Sequence, residues 1–248
     1  MAGSKAFSGV QALVFDLMGT CTDWHTSILT AMQKYPTPTP LVGSDLPLLA
    51  SQWREGFFKA IFASFEAGEQ SPDIDVVHAQ VLDRLLDVKG VGKDIWTDEV
   101  RLELVQAWHH QQAWEDSIEG IQRLKEKYFV VVLANGTTRL QLDIIRSSCL
   151  PFHTLFSSQL LQATKPNPEI YLKALNLMGL QASQTAMVAA HAYDLRAAAK
   201  LGMKTAYIHR TTEDPSEDME VVKSEVDVFI DGRSKQHGLL ELARLLST

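Results

Sequence analysis

Three apolar runs, each delivering a polar residue at its end, constrain this chain more than any other feature. Val10 to Phe15 leads into Asp16 and Thr20, Phe129 to Leu133 into Asn135, Gly136 and Thr137, and Thr185 to Ala190 into His191 and Asp194. A fourth strand ending near Phe156 precedes Lys165 by a short loop. Continuous apolar runs of this length suit strands buried on both faces, and parallel strands need a helical crossover between them. The stretches Ile118 to Tyr128, Arg139 to Ser147, Asn167 to Met178 and Leu195 to Leu201 carry helical spacing between the runs. With further strands at Lys204 to Ile208 and Val226 to Ile230, the expectation is an α/β chain with a doubly wound parallel sheet. In such sheets ligands bind beyond the carboxyl ends of the strands, where the polar residues collect.

The alternation is interrupted once. Leu46 to Glu66 places Leu49, Trp53, Phe57 and Ile61 on one helical face, and Ile74 to Val88 and Asp98 to Trp108 are amphipathic in the same way. Tyr35 to Pro40, with a proline at every second position, is a loop. The expected organisation is a core of residues 1–22 and 115–248 with an all-helical insert over 23–114. The acidic, proline-containing segment from Arg210 to Glu225 reads as a surface excursion.

With 248 residues the chain can bury a substantial core, and its formal net charge of -7 comes without a Lys/Arg cluster. Nucleic acid and an anionic membrane are therefore not expected partners. No run approaches the roughly eighteen apolar residues of a membrane span. Cys21 and Cys149 have neither CxxC nor metal-ligand spacing, so buried thiols in the reducing cytoplasm are expected.

The order of an Asp-initiated loop, a strand end carrying Asn, a lysine and an acidic fourth loop resembles the haloacid dehalogenase superfamily across nearly the whole chain. The match is nearer to type II 2-haloacid dehalogenases: Phe15-Asp16-Leu17-Met18-Gly19-Thr20, Trp53-Arg54 on an insert helix, Leu133-Ala134-Asn135-Gly136, Lys165-Pro166 followed by Tyr171, and Ala192-Tyr193-Asp194. The resemblance implies a Rossmann-like core with a helical cap, a small organic acid as substrate, and no metal or cofactor. A homodimer is compatible with it, although intrachain packing accounts equally well for the apolar stripes.

It also implies roles. Asp16 is the nucleophile that displaces halide; Lys165 keeps it ionised, with Thr20 and Tyr171 holding that pair. Arg54, faced by Asn135, receives the departing anion, and backbone N–H groups at Met18 and Gly19 bind the substrate carboxylate. Tyr193 stands where the family has an aromatic, Asp194 where it has its fourth-motif acid. The departures are Met18 for Tyr, Ala134 and Ala189 for Ser, and His191 for Asn. A histidine near Asp194 is suited to act as general base toward the ester-hydrolysing water.

Two other readings stay open. A magnesium-dependent phosphatase of the same superfamily would need an acid where Met18 stands, and losing a general acid forfeits about 10²–10⁴-fold; it would also use an acid where Ala190 stands. A non-hydrolytic tailoring or ligand-binding role would rest on His191 and Asp194.

Overall fold

The computed structural model describes residues 6–67, 73–234 and 237–247. It divides into two compact units, Met1–Asp23 with Ala113–Thr248, and Trp24–Gln112. The chain enters the first unit with β1 (Ala12–Phe15) and leaves it through the short β2 (Thr22–Asp23).

The second unit is helical. It contains α1 (Trp24–Met32), α2 (Leu46–Glu66), α3 (Ile74–Val88) and α4 (Asp98–Gln106). Asp73 caps α3 by accepting from the N–H groups of Asp75 and Val76, and Thr97 caps α4 through Val100 N–H. Leu49, Ala50 and Trp53 of α2 are buried with Val77, Val81 and Leu82 of α3. A Cβ on Gly56 would lie 2.6 Å from Val81 Cγ1, so glycine sets the approach of these two helices.

The chain returns through β3 (Gln112–Ala113) and then alternates: α5 (Ser117–Leu124), β4 (Phe129–Ala134), α6 (Thr138–Ser148), β5 (Thr154–Ser157), α7 (Ser158–Leu161), α8 (Pro168–Met178), β6 (Thr185–Ala189), α9 (Ala192–Lys200), β7 (Lys204–His209), α10 (Met219–Glu225), β8 (Val228–Asp231) and α11 (Leu239–Ser247). Helix starts are marked by side chains that accept orphan N–H groups, Thr137 for α6 and Asn167 ahead of Pro168 for α8.

Six strands form one parallel sheet in the order β5-β4-β1-β6-β7-β8. β1 is central, with Phe15 in register with Val132 on one side and Val188 on the other. All four β1 side chains are buried. Burying a large apolar side chain is worth about 1.5–3 kcal/mol, so this short strand is held by packing on both faces as well as by two ladders. The strand order reverses around β1, which puts the residue after Phe15 at the crevice of the sheet.

Two sequence expectations need correction. Cys21 is buried but Cys149 is exposed, because it ends α6 in a left-handed conformation with φ 56. The segment from Arg210 to Glu225 is not simply surface: Arg210 and Glu213 are both buried, and α10 occupies its second half.

Candidate active site

Asp16 follows β1 directly, its N–H bonded to Val188 O at 3.0 Å. The backbone then turns through Gly19 at φ +85, a region that disfavours any residue with a Cβ. Gly19 O accepts from Trp114 Nε1 at 2.8 Å, and the Cys21 thiol donates to Asp16 O at 3.3 Å. Burial pushes the Cys21 thiol well above its ordinary pKa, so it is a structural donor.

The Asp16 carboxylate is buried, and its two oxygens have different neighbours. Oδ1 accepts from Lys165 Nζ at 2.7 Å. Oδ2 accepts from Thr20 Oγ1 at 2.7 Å and faces His191 Nδ1 at 3.1 Å. Thr20 is in turn fixed by Ala190 N–H, which donates to its hydroxyl at 2.9 Å. Burial alone would raise the Asp16 carboxyl, but the Lys165 and His191 cations more than offset it and hold the group well below the usual carboxylate range.

Lys165 lies between two carboxylates, since its Nζ also donates to Asp194 Oδ2. Desolvation works against its charge, yet Asp16 and Asp194 raise its pKa well above that of a free lysine. Asp194, in the first turn of α9, accepts from Tyr171 Oη at 2.5 Å on its other oxygen. Burial raises the Asp194 carboxyl, and the opposing pull of Lys165 does not cancel this.

Asn135 is tied to the lysine-bearing loop. Its Oδ1 accepts from Lys165 N at 2.8 Å and its Nδ2 donates to Lys165 O at 3.0 Å, so the amide clamps the lysine backbone. Tyr171 likewise holds Asp194 rather than the Asp16–Lys165 pair directly.

His191 departs furthest from the sequence expectation. Its Nδ1 faces Asp16 Oδ2, and its Nε2 faces Glu213 Oε2 at 2.8 Å. A neutral imidazole has one N–H and would turn a lone pair toward one of these carboxylates, so both nitrogens carry protons. Desolvation opposes that charge, but the two carboxylates prevail and the pKa is pushed up to about 10. With that shift the ring is a doubly donating cation at neutral pH. Tyr193 lies beside it, the ring centroids 5.8 Å apart.

Sequence reasoning missed Glu213, Arg210 and Asp116. Arg210 is buried and bonds both oxygens of Asp116, at 2.7 and 3.0 Å, while its Nε donates to Thr20 O at 3.1 Å. It follows β7 immediately, with His209 between it and the apolar residues Ala206, Tyr207 and Ile208, so the strand-end signal is weaker than at Asp16.

In the helical unit Arg54 is buried among aromatic rings. Its guanidinium carbon lies 4.3 Å from the Phe58 centroid, 5.6 Å from Trp24, 5.7 Å from Trp108 and 5.9 Å from Phe57. Such faces favour a cation and leave it weakly hydrated. His78 is stacked between Phe57 and Trp108, at 4.0 and 4.3 Å. Burial and the nearby Arg54 charge hold it neutral, with a pKa well below 6.5.

Among the described residues no group of three or more His, Cys, Asp or Glu side chains is arranged to hold a metal ion. The space between Asp16 and Asp194 holds the Lys165 ammonium, and position 190 offers only a methyl group. These donors do not fit a bound divalent cation. Among the described residues no helix is long and apolar enough to cross a membrane.

Comparison with known proteins extends over most of the chain. A family model for haloacid dehalogenase-like hydrolases matches residues 10–202. The chain is 26% identical over 232 residues to (S)-2-haloacid dehalogenase 4A of Burkholderia cepacia, covering 88% of this chain and 91% of that one. It is similar in structure to the L-2-haloacid dehalogenase PA0810, with a TM-score of 0.81 and 29% identity over 96% of this chain and 99% of the other. It is similar also to the defluorinating L-2-haloacid dehalogenase Rha0230, with a TM-score of 0.81 and 27% identity over 96% of each chain.

Proposed function

The chain belongs to the haloacid dehalogenase-like hydrolases, and on that premise we propose that it displaces halide from a 2-halo carboxylic acid through an ester on Asp16, without a metal or cofactor. The observation that carries this reading is a buried carboxylate held ionised between two cations, with methionine at the position where a proton donor would serve a poorer leaving group. The names of the relatives, which specify L- or (S)-2-haloacids, support the substrate class.

An oxygen of Asp16 attacks the halogen-bearing carbon, and the halide leaves with the bonding pair. Water then adds to the Asp16 carboxyl carbon, and the product departs as a 2-hydroxy acid. Splitting the displacement in this way replaces one difficult step with two easier ones. Lys165 keeps Asp16 ionised and oriented; Asp194, Tyr171 and Asn135 keep Lys165 in place. Thr20 fixes the second Asp16 oxygen. Arg54, in its aromatic surroundings, holds the departing anion, and the backbone N–H groups of Met18 and Gly19 hold the substrate carboxylate. Tyr193 borders the substrate. The reaction needs no partner beyond its small-molecule substrate and takes place in the cytoplasm.

Single turnover with excess protein and (S)-2-chloropropionate in ¹⁸O-water tests the reading. Chloride release with label in the Asp16 peptide is expected. Label in lactate with none in Asp16 would mean direct attack by water and would refute the covalent mechanism. Magnesium-dependent turnover of a phosphate ester, with no chloride release, would instead favour the phosphatase reading.

A further inference from the structure

We propose that the His191 imidazolium is a catalytic residue of the hydrolytic half of this reaction: with the Thr20 hydroxyl it holds Asp16 Oδ2 as that atom becomes the ester carbonyl oxygen and then an oxyanion, while Glu213 keeps the ring charged. The inference rests on the Asp16-ester reading.

The argument begins with the inequivalence of the two Asp16 oxygens. Oδ1 accepts from Lys165, whereas Oδ2 has both Thr20 and His191 as donors. Forming the bond to carbon at Oδ1 disturbs one of these hydrogen bonds; forming it at Oδ2 would disturb two. Oδ1 is therefore the attacking atom, and Oδ2 becomes the carbonyl oxygen of the ester. When water adds at the carboxyl carbon, the π pair moves onto Oδ2, where two preorganised donors already point. Collapse restores the carbonyl, breaks the bond from the carboxyl carbon to Oδ1, and releases Oδ1 as the product hydroxyl. That oxygen takes up one of the water's two protons; the water oxygen stays on Asp16, and the second proton leaves to solvent as the carboxylate is restored.

Alkylation creates a second requirement. It cancels the Asp16 charge, which is one of the two anions holding His191 protonated, while the Lys165 cation remains nearby. Glu213 stays in place at 2.8 Å, positioned by Thr212 Oγ1, which donates to its other oxygen at 2.7 Å. Asp214 adds negative charge from the same loop, although its carboxylate also accepts from Ala192 N–H and Tyr207. On α9 itself, Tyr193 flanks the ring and Asp194 is paired to Lys165. Glu213 is thus a positioning residue, needed most when Asp16 is esterified. Gly19 makes room for it: a Cβ there would lie 2.4 Å from Glu213 Cδ.

The test follows first-turnover chloride and the mass of the Asp16 peptide in wild type, His191→Gln and Glu213→Gln with (S)-2-chloropropionate. His191→Gln is expected to slow ester hydrolysis by about 10²–10³-fold, the usual effect of losing one oxyanion donor. Its chloride release should change less than about tenfold, so the ester accumulates. Glu213→Gln should move the alkaline limb of ester hydrolysis to lower pH by at least about one unit and leave the limb of chloride release in place. Parallel loss of both steps in His191→Gln, or an unmoved limb in Glu213→Gln, overturns the inference and leaves the covalent reading standing. If His191→Gln does not fold, the Glu213→Gln profile decides alone. A wild type that yields no chloride, or no ester on Asp16, overturns both.

Discussion

Replacing Lys165 by methionine tests the electrostatics of the site most directly. The ammonium is buried and serves Asp16 and Asp194 together. Removing one partner of a buried ion pair costs about 3–5 kcal/mol, because it strands an uncompensated charge. Here two carboxylates lose their cation, which places the expected loss near the upper end at neutral pH. The pH dependence supplies a sharper test. In the wild type the folded-state pKa of Asp16 is depressed, so its stabilising contribution is present above the unfolded value and is lost as pH falls toward the folded one. In the variant His191 still accompanies Asp16, but Asp194 has lost the cation that opposed its burial. Its folded pKa then rises further above the unfolded value, and stability falls as pH climbs between the two. The gap between the proteins is therefore widest near pH 7.5 and narrows toward pH 4.5. Urea unfolding followed by tryptophan fluorescence measures this gap. With a slope of about 1–3 kcal/mol per molar, a loss of about 5 kcal/mol should lower the midpoint by about 1.7–5 M at pH 7.5. A drop below about 0.5 M, or an equal drop at both pH values, would refute the reasoning.

Arg210→Met should destabilise the fold by about 3–5 kcal/mol, since Asp116 is left buried without its bidentate partner. It should also reduce turnover through the freed Thr20 carbonyl, and Arg210→Lys should restore little, because a lysine cannot reproduce the fork; urea midpoints and halide release check both. In Gly19→Ala the left-handed backbone costs about 1–2 kcal/mol and the new methyl displaces the Glu213 carboxylate. Ester hydrolysis should therefore slow more than the first chloride release in rapid-quench assays; equal slowing would show that Glu213 had not moved.

The fold could be read from the chain wherever both faces of a strand are buried. Ala12–Phe15, Phe129–Ala134 and Thr185–Ala189 are apolar almost throughout because every side chain on them except Phe129, at the open start of its strand, is buried. Thr154–Ser157 stands at the edge of the sheet and is only partly covered, so its pattern located an end near Phe156 and little more. Asp16, Lys165 and Asp194 were legible because each lies in a recognisable motif at a strand end or on a loop. Glu213 was not. The acidic, proline-containing composition around it describes a segment that meets solvent, whereas its own burial is decided by His191, 22 residues upstream. Arg210 was obscured in the same way, its partner Asp116 lying 94 residues away. His191 was noticed, but the charge on its ring depends on that unseen glutamate.

The central place of β1 has a further consequence for how the chain acquires reactivity. The groups around Asp16 come from positions 149 and 175 residues later, with Glu213 beyond them. Contacts so distant in sequence form only after long loops have closed, late in the assembly of a parallel sheet. A chain released or cleaved before Lys165 would carry the nucleophile without the cage that ionises and orients it. Displacement chemistry in this protein is thus a report on the completed sheet, and a partly made chain is chemically silent.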